Sequence, residues 1–417
     1  IGLLLLRVPI TFSLALSSIV TALYLHVPLM AVAQQMVKGI SSFSLITIPF
    51  FILAGEIMGQ GGISTRLVNF SKVIVGRLRG GLAIVDVLAS LFFGGLSGSS
   101  VADTTSIGSI MIPMMEKEGY DKDFAVDVTI ASATQGVLVP PSHNMIIYSL
   151  AAGGVSISSL FMAGIIPGCF LGLCVMLLSY FMAVKRKYPK GEKLDTKTKL
   201  HMLKDGILGL MTAVIIMGSI MTGICTATES AALATVYAFI ITFFVYKDVP
   251  LSQFGNILKK SLSTLSMVMG LIAASAAFGW MIAYTQLPLA VTNGLLAITS
   301  NKTLILLIIN LILLFLGCIM DMAPLILVAT PIFLPVVTKF GMDPVQFGVV
   351  LMLNLGIGLL TPPVGSTLFV GCSIGKISIE KVTKSLVPFY AVMFVVLMIL
   401  TFVPQISLFL PNLIGVK

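Results

Sequence analysis

The chain has 417 residues, of which 57% are hydrophobic and only 10% charged, with a formal net charge of +9. Soluble domains carry about 25% charged residues, so this composition excludes an ordinary water-soluble domain and indicates an integral membrane protein. The positive balance does not indicate nucleic acid, because no stripe of Lys and Arg interleaves with aromatics; basic residues cluster in short connections between apolar runs.

In chain order, Leu3–Leu29 lacks a small-residue cleavage site and is too long for a signal-peptide core, so it predicts a span. Ser64–Leu78 alternates apolar and basic residues at helical spacing, which suits a helix lying in the membrane interface. Residues 81–115 are apolar but interrupted by Gly94, Gly95, Ser97, Gly98, Ser99 and Ser100. They are too long for one span and polar at the middle, so they predict a re-entrant hairpin. Residues 124–152 predict a span broken at Pro140-Pro141, and 160–184 a continuous one. The linker Lys185–Lys204 holds eight Lys and Arg. Apolar runs at Ile207–Thr222, Ala231–Tyr246 and roughly 265–285 follow, then a second hairpin at 303–338, a second broken span at 347–375 and a last span at 386–404. The five cysteines all lie in apolar segments, where they act as small core residues.

The two halves repeat each other at an offset of 222 residues: Gly95, Pro113, Gly119, Asp121, Gly136, Pro140, Ser156 and Ile157 match Gly317, Pro335, Gly341, Asp343, Gly358, Pro362, Ser378 and Ile379. Helix breaks at matching places in two apolar repeats are the sequence pointer to a transporter's binding site. The positive-inside rule puts four basic clusters in the cytoplasm: Arg66–Arg79, Lys185–Lys204, Lys247–Lys260 and Lys376–Lys384. Counting crossings then makes the repeats inverted, with the N-terminus cytoplasmic, Arg7 near it, and Lys38, Lys302, Lys339, Lys417 and the C-terminus outside.

Irregular backbone at membrane depth is tolerated where it lines a cavity, and each half supplies a hairpin tip and a break. Carbonyls freed at a break coordinate hard cations such as Na⁺, and half-helix N-termini hold anions. The candidate Na⁺ ligands are Ser99, Ser100, Asp103, Ser142 and Asn144 in the first half and Gly317, Asp321, Thr361, Gly365 and Ser366 in the second, giving at least two sites. The candidate substrate contacts are Ser97, Ser99, Thr104, Asn144 and Thr367. Glu56, Asp86 and Glu229 are weaker candidates, better read as structural pairs or residues near a water interface. A single Gly or Pro motif means close packing or a kink more often than a site; paired recurrence in both repeats reverses that balance.

The runs IPFFILAGEIM (48–58), GGLSGSSVADTTSIGS (94–109), GYDKDFA (119–125), PPSHNMIIYSLAAG (140–153), TATESAALATVYA (226–238) and GLLTPPVGSTLFV (358–370) resemble the large membrane (M) subunit of tripartite ATP-independent periplasmic (TRAP) transporters over essentially the whole chain. One departure is Ala227, where many relatives have proline. The resemblance implies an all-α polytopic membrane protein of the inverted-repeat elevator type, with two re-entrant hairpins and two discontinuous helices. It implies scaffold helices and an arm helix at 1–80, a first transport repeat at 81–160, scaffold with a linker and second arm at 161–302, a second transport repeat at 303–385 and a scaffold helix at 386–417. Ser97–Asp103 with Ser142–Asn144 would hold one Na⁺ and part of the substrate, and Met320–Ala323 with Thr361–Thr367 another. The implied partners are a small four-helix membrane subunit (Q-type), a periplasmic substrate-binding protein, the lipid bilayer and an organic-acid substrate such as a sialic acid, another sugar acid or a C4-dicarboxylate. The implied location is the bacterial inner membrane.

Other classes fit less well. Gly371–Lys376 is one residue short of a phosphate-binding loop and is followed by Ile377, so ATP hydrolysis is excluded. Gly371–Gly375 matches G-x-S-x-G without the strand-turn-helix context, and no His/Cys/Asp cluster has metal-ligand spacing, so no enzyme is expected. The close alternative is a stand-alone Na⁺/carboxylate symporter of similar fold without a binding protein.

Overall fold

The computed structural model describes residues 3, 8–191 and 195–415; Arg7, Lys193 and Lys417, used in the charge argument, lie outside them. Helices dominate, and among the described residues the β-type contact is one isolated bridge, Arg79 with Lys190. Five helices are long and apolar enough to cross a membrane: Ile157–Lys185, Thr196–Met221, Ala227–Tyr246, Leu251–Tyr284 and Met322–Lys339. A sixth candidate, Ile379–Ser385 with Val387–Phe402, bends by 55°.

The repeat of 222 residues in the sequence is also a repeat of helices. Gly81–Ser97, Ser100–Ser106 and Gly108–Lys117 form the first hairpin, and Lys302–Gly317 with Met322–Lys339 the second. Each is followed by an interrupted helix, Lys122–Ala133 then His143–Ala151 in one half, and Pro344–Gly358 then Ser366–Gly375 in the other. The turn between hairpin and interrupted helix uses Gly119 (φ 85°) and Gly341 (φ 77°), a left-handed conformation that glycine adopts without steric cost. The correspondence reaches the flanks: Ile63–Val75, the interfacial helix foreseen at Ser64–Leu78, is matched by Leu287–Ile298.

Each hairpin lies tightly on its own interrupted helix. A Cβ on Gly94 would stand 2.2 Å from the Gly136 Cα, and one on Gly358 would stand 2.7 Å from the Gly317 Cα. These positions need glycine because the backbones themselves are in contact. The first segment departs from the single long span expected over Leu3–Leu29. The helix Ile10–Tyr24 ends at a turn where His26 takes φ 56°, and Leu29–Ile40 begins after Pro28. Proline both lacks a helix donor and keeps the residue before it out of the helical region, which divides the apolar run. This pair packs on Phe254–Tyr284 through a small core of Ala22, Val32, Ala277 and Met281.

Candidate functional site

The tips and breaks of both repeats meet. After Gly81–Ser97 the chain turns at Gly98 (φ 62°), and the Ser99 hydroxyl accepts the Ala102 N–H at 3.3 Å to start the next helix. Asn144, at the start of His143–Ala151, donates its amide to the Gly98 carbonyl at 3.3 Å, tying break to tip. In the second half the Val364 N–H donates to the Cys318 carbonyl at 3.0 Å, and the Ser366 hydroxyl to Asp321 at 3.5 Å. The repeats are joined by the hydroxyls of Ser100 and Thr367, 3.1 Å apart.

Between them lies a cavity of about 310 Å³ whose lining includes five of the sequence candidates: Ser99, Ser100, Asn144, Asp321 and Ser366. Among the described residues, Asp321 is its only charged lining residue. Four helices, Ser100–Ser106, His143–Ala151, Met322–Lys339 and Ser366–Gly375, have their N-terminal residues in its lining. Ser142 precedes the first of them, its hydroxyl buried without a hydrogen-bond partner. A wider vestibule of about 660 Å³ shares Ser99, Val101 and His143 with the small cavity and adds Ser97, Phe51, Glu56 and Lys260. Glu56 and Lys260 form an ion pair at 2.8 Å, which gives Glu56 its structural role. Glu229 is likewise structural, completing a capping box with Thr226.

Five other candidates stand back from the small cavity. Asp103 and Thr104 lie on the same helix face as Ser100 about one turn further on; both are buried, and Thr104 packs near Gly371. Neither Asp103 oxygen has a hydrogen-bond partner, and the carboxylate lies within electrostatic reach of Ser90 and Asp86. Asp86 itself accepts from the Thr129 hydroxyl. Thr361 spends its hydroxyl on the Ile357 carbonyl at 2.8 Å. A Cβ on Gly365 would meet the carbonyls of Leu359 and Thr361, each at 3.0 Å, and the Leu359 carbonyl also accepts the Leu368 N–H at 3.3 Å. Gly317 sits at the close crossing with Gly358. His143 falls inside the Ser142–Asn144 stretch expected at the site, without being singled out as a ligand, and it lines the small cavity beside Asn144. The Glu56–Lys260 pair left no sequence signal, since the partners are remote in sequence.

On the face that carries the basic clusters, Arg186 holds Asp121 at 2.9 Å and Asp123 at 3.4 Å. The Tyr188 hydroxyl donates to Asp121 at 2.7 Å and, with Arg186, keeps that carboxyl below its ordinary range.

Residues 1–406 match the family described as "Tripartite ATP-independent periplasmic transporter, DctM component". The chain belongs to that family. The sialic acid TRAP transporter large permease protein SiaM of Vibrio cholerae serotype O1 is 39% identical over 414 residues, covering 99% of this chain and 97% of that one. The C4-dicarboxylate TRAP transporter large permease protein DctM of Rhodobacter capsulatus is 36% identical over 430 residues, covering 100% and 98%. Among solved structures, the Alcanivorax borkumensis YdaH transporter superposes with a TM-score of 0.65 at 14% identity, covering 89% of this chain and 88% of that one. At that identity the likeness speaks for the fold alone. As a DctM component, the chain is a multi-pass transporter permease of the bacterial inner membrane, not a hydrolase or a pump with its own nucleotide site.

Proposed function

We propose that the chain carries out Na⁺-coupled secondary uptake of an organic acid by an elevator mechanism. The observation that carries this is the charge balance of the central cavity. Hydroxyls, an amide and helix N-termini line it from both repeats, and among the described residues no Lys or Arg lines it and its one charged group is Asp321. An anionic cargo there meets a carboxylate of its own sign, so a bound cation is needed to balance both. Ser99, Ser100, Ser142 and Asn144 would serve one Na⁺ with part of the cargo, and Asp321, Ser366 and the carbonyls around Gly365 another. Asp103 and Thr104 would act from one turn behind.

The cargo is a carboxylate, either a sialic acid or a C4-dicarboxylate as named for the relatives, or another sugar acid. A periplasmic binding protein would deliver it, and a small four-helix membrane subunit would brace the scaffold. The hairpins and interrupted helices would form the moving unit, sliding past Thr47–Gln60, Phe254–Tyr284 and the two arm helices. The face with Arg66, Arg186 and Lys260 would be cytoplasmic, as would the N-terminus, and the vestibule beside Lys260 would then be the inward release path.

The test is uptake of labelled N-acetylneuraminate and succinate into proteoliposomes holding the chain with its two partners, in Na⁺ against K⁺. The expected result is uptake in Na⁺ alone, with Asp321→Asn abolishing the Na⁺ gradient's effect. Equal uptake in K⁺ would overturn the coupling, and full uptake without the binding protein would favour a stand-alone symporter.

A further inference from the structure

A third cavity, of about 520 Å³, is lined by Ile272, Ser275, Ala276 and Gly279, at least three turns along Phe254–Tyr284 from Lys260. It opens between Leu29–Ile40 and Phe254–Tyr284 on one side and Met322–Lys339 with the loop after His143–Ala151 on the other. Its only charged lining residue is Lys38, which makes no ion pair among the described residues. The contrast with the vestibule, where Lys260 is neutralised by Glu56, is direct. Ser275 also lines the cavity; it is 4% exposed and its hydroxyl has no hydrogen-bond partner. Gln35 and Ser42 add further polar groups. A buried hydroxyl left unpaired is costly unless something accepts from it, and the exposed Lys38 ammonium in the same lining is free to meet an anion there.

We infer that this cavity is an anion site that receives the carboxylate of the cargo before it reaches the central cavity, with Lys38 and Ser275 as its donors. The site rests on the reading that the cargo is an organic acid and that this face is periplasmic. A carboxylate supplies two acceptor oxygens, one for the ammonium and one for the hydroxyl. The unpaired charge also draws anions toward the opening. Leu327 and Pro331 belong to the second hairpin, whereas Lys38 and Ser275 belong to helices outside both hairpins. An occupied site therefore spans the boundary that the elevator motion would shear, and departure of the anion precedes that motion.

The test is acylation of Lys38 by an amine-reactive ester, read by mass spectrometry on the full chain in neutral-lipid nanodiscs. Potassium succinate or potassium N-acetylneuraminate is compared with potassium chloride at equal ionic strength. The expected result is slower labelling of Lys38 but not of Lys302, with the protection lost in Ser275→Ala. In reconstituted uptake, Lys38→Gln raises KM about tenfold with kcat unchanged, the cost of one charge-assisted hydrogen bond, and Lys38→Arg restores it. Equal labelling in both salts, or protection only when phosphatidylglycerol is added, would overturn the proposal, the latter making this a lipid headgroup site. Protection that persists while uptake ignores Na⁺ would leave the site standing and count against the coupling alone.

Discussion

The two repeats share a backbone plan and differ in what they bury. The first places Asp86, Asp103 and Asp127 in its interior, each 0% exposed. Ile308, Leu325 and Val349 occupy the matching positions of the second. The second repeat instead uses amides: Asn354 donates to the Asn310 carbonyl at 3.0 Å and to its side-chain oxygen at 2.9 Å, and Asn310 donates to Thr401 at 3.3 Å. These amides bond one another through their N–H groups and carry no charge to change, although the Asn354 Oδ1 is buried without a partner. Carboxylates with open oxygens, as at Asp103 and Asp127, respond to whatever cation or proton reaches them. One half thus has an interior that can change its electrical state, and the other an interior that holds its shape.

That comparison can be broken in several ways. The largest effect is expected at the backbone crossings. Gly94→Ala drives a methyl to within 2.2 Å of the Gly136 Cα, and it should cost about 3 kcal/mol. Gly317→Ala approaches the Gly358 Cα only to 3.2 Å and should cost about 1 kcal/mol. Melting temperatures in detergent measure both, and equal losses would erase the difference in clearance. Next, Asn354→Ala strands the Asn310 acceptors and should cost about 2 kcal/mol, whereas Asp127→Asn removes an unpartnered charge and should cost nothing or stabilise by about 1 kcal/mol. A comparable loss in both variants would mean that Asp127 is as firmly held as Asn354. The link between the repeats should be smaller still. A double-mutant cycle of Ser100→Ala with Thr367→Val is expected to return a coupling of about 1 kcal/mol, and zero coupling would leave the halves joined by other contacts, such as the Tyr148 hydroxyl on the Pro344 carbonyl.

The smallest effect concerns acid. Asp121 is held below its ordinary range by Tyr188 and Arg186. Its stabilisation is therefore complete above the ordinary carboxylate value of about 3.9 and is lost as pH falls through the lowered one. Asp343, its counterpart, instead caps its helix through the Val345 N–H at 2.7 Å. Melting temperature followed below about pH 4 should fall less steeply in Asp121→Asn than in the parent, and parallel curves would remove the ion cluster from the acid response.

Much of this was legible in the chain itself. The matching of Gly119 with Gly341 and of the Pro-Pro pairs located both turns and both interruptions, because only a few residue types tolerate those backbone conformations. The hairpin tips were legible for the same reason. What the sequence could not convey was direction. Asp103 is three residues from Ser100, and whether it lines the cavity or turns toward Ser90 and Asp86 of the preceding helix depends on tertiary packing. Pairing across long stretches was equally hidden, as with Glu56 and Lys260 or Arg66 and Asp248. The split of the first apolar segment carried a local signal, Pro28, which hydrophobicity alone outweighed.

The crossing of Gly94 over Gly136 has a mechanical corollary. Main chain resting on main chain has no soft side-chain layer to yield, so the first hairpin and its interrupted helix form a single stiff lever. Under the proposed elevator motion, slippage would be confined to surfaces cushioned by longer groups, such as Phe51 and Lys260 around the vestibule. Spin labels on Lys117 and Lys122 would keep their separation throughout turnover, while either one measured against Thr264 would report the stroke.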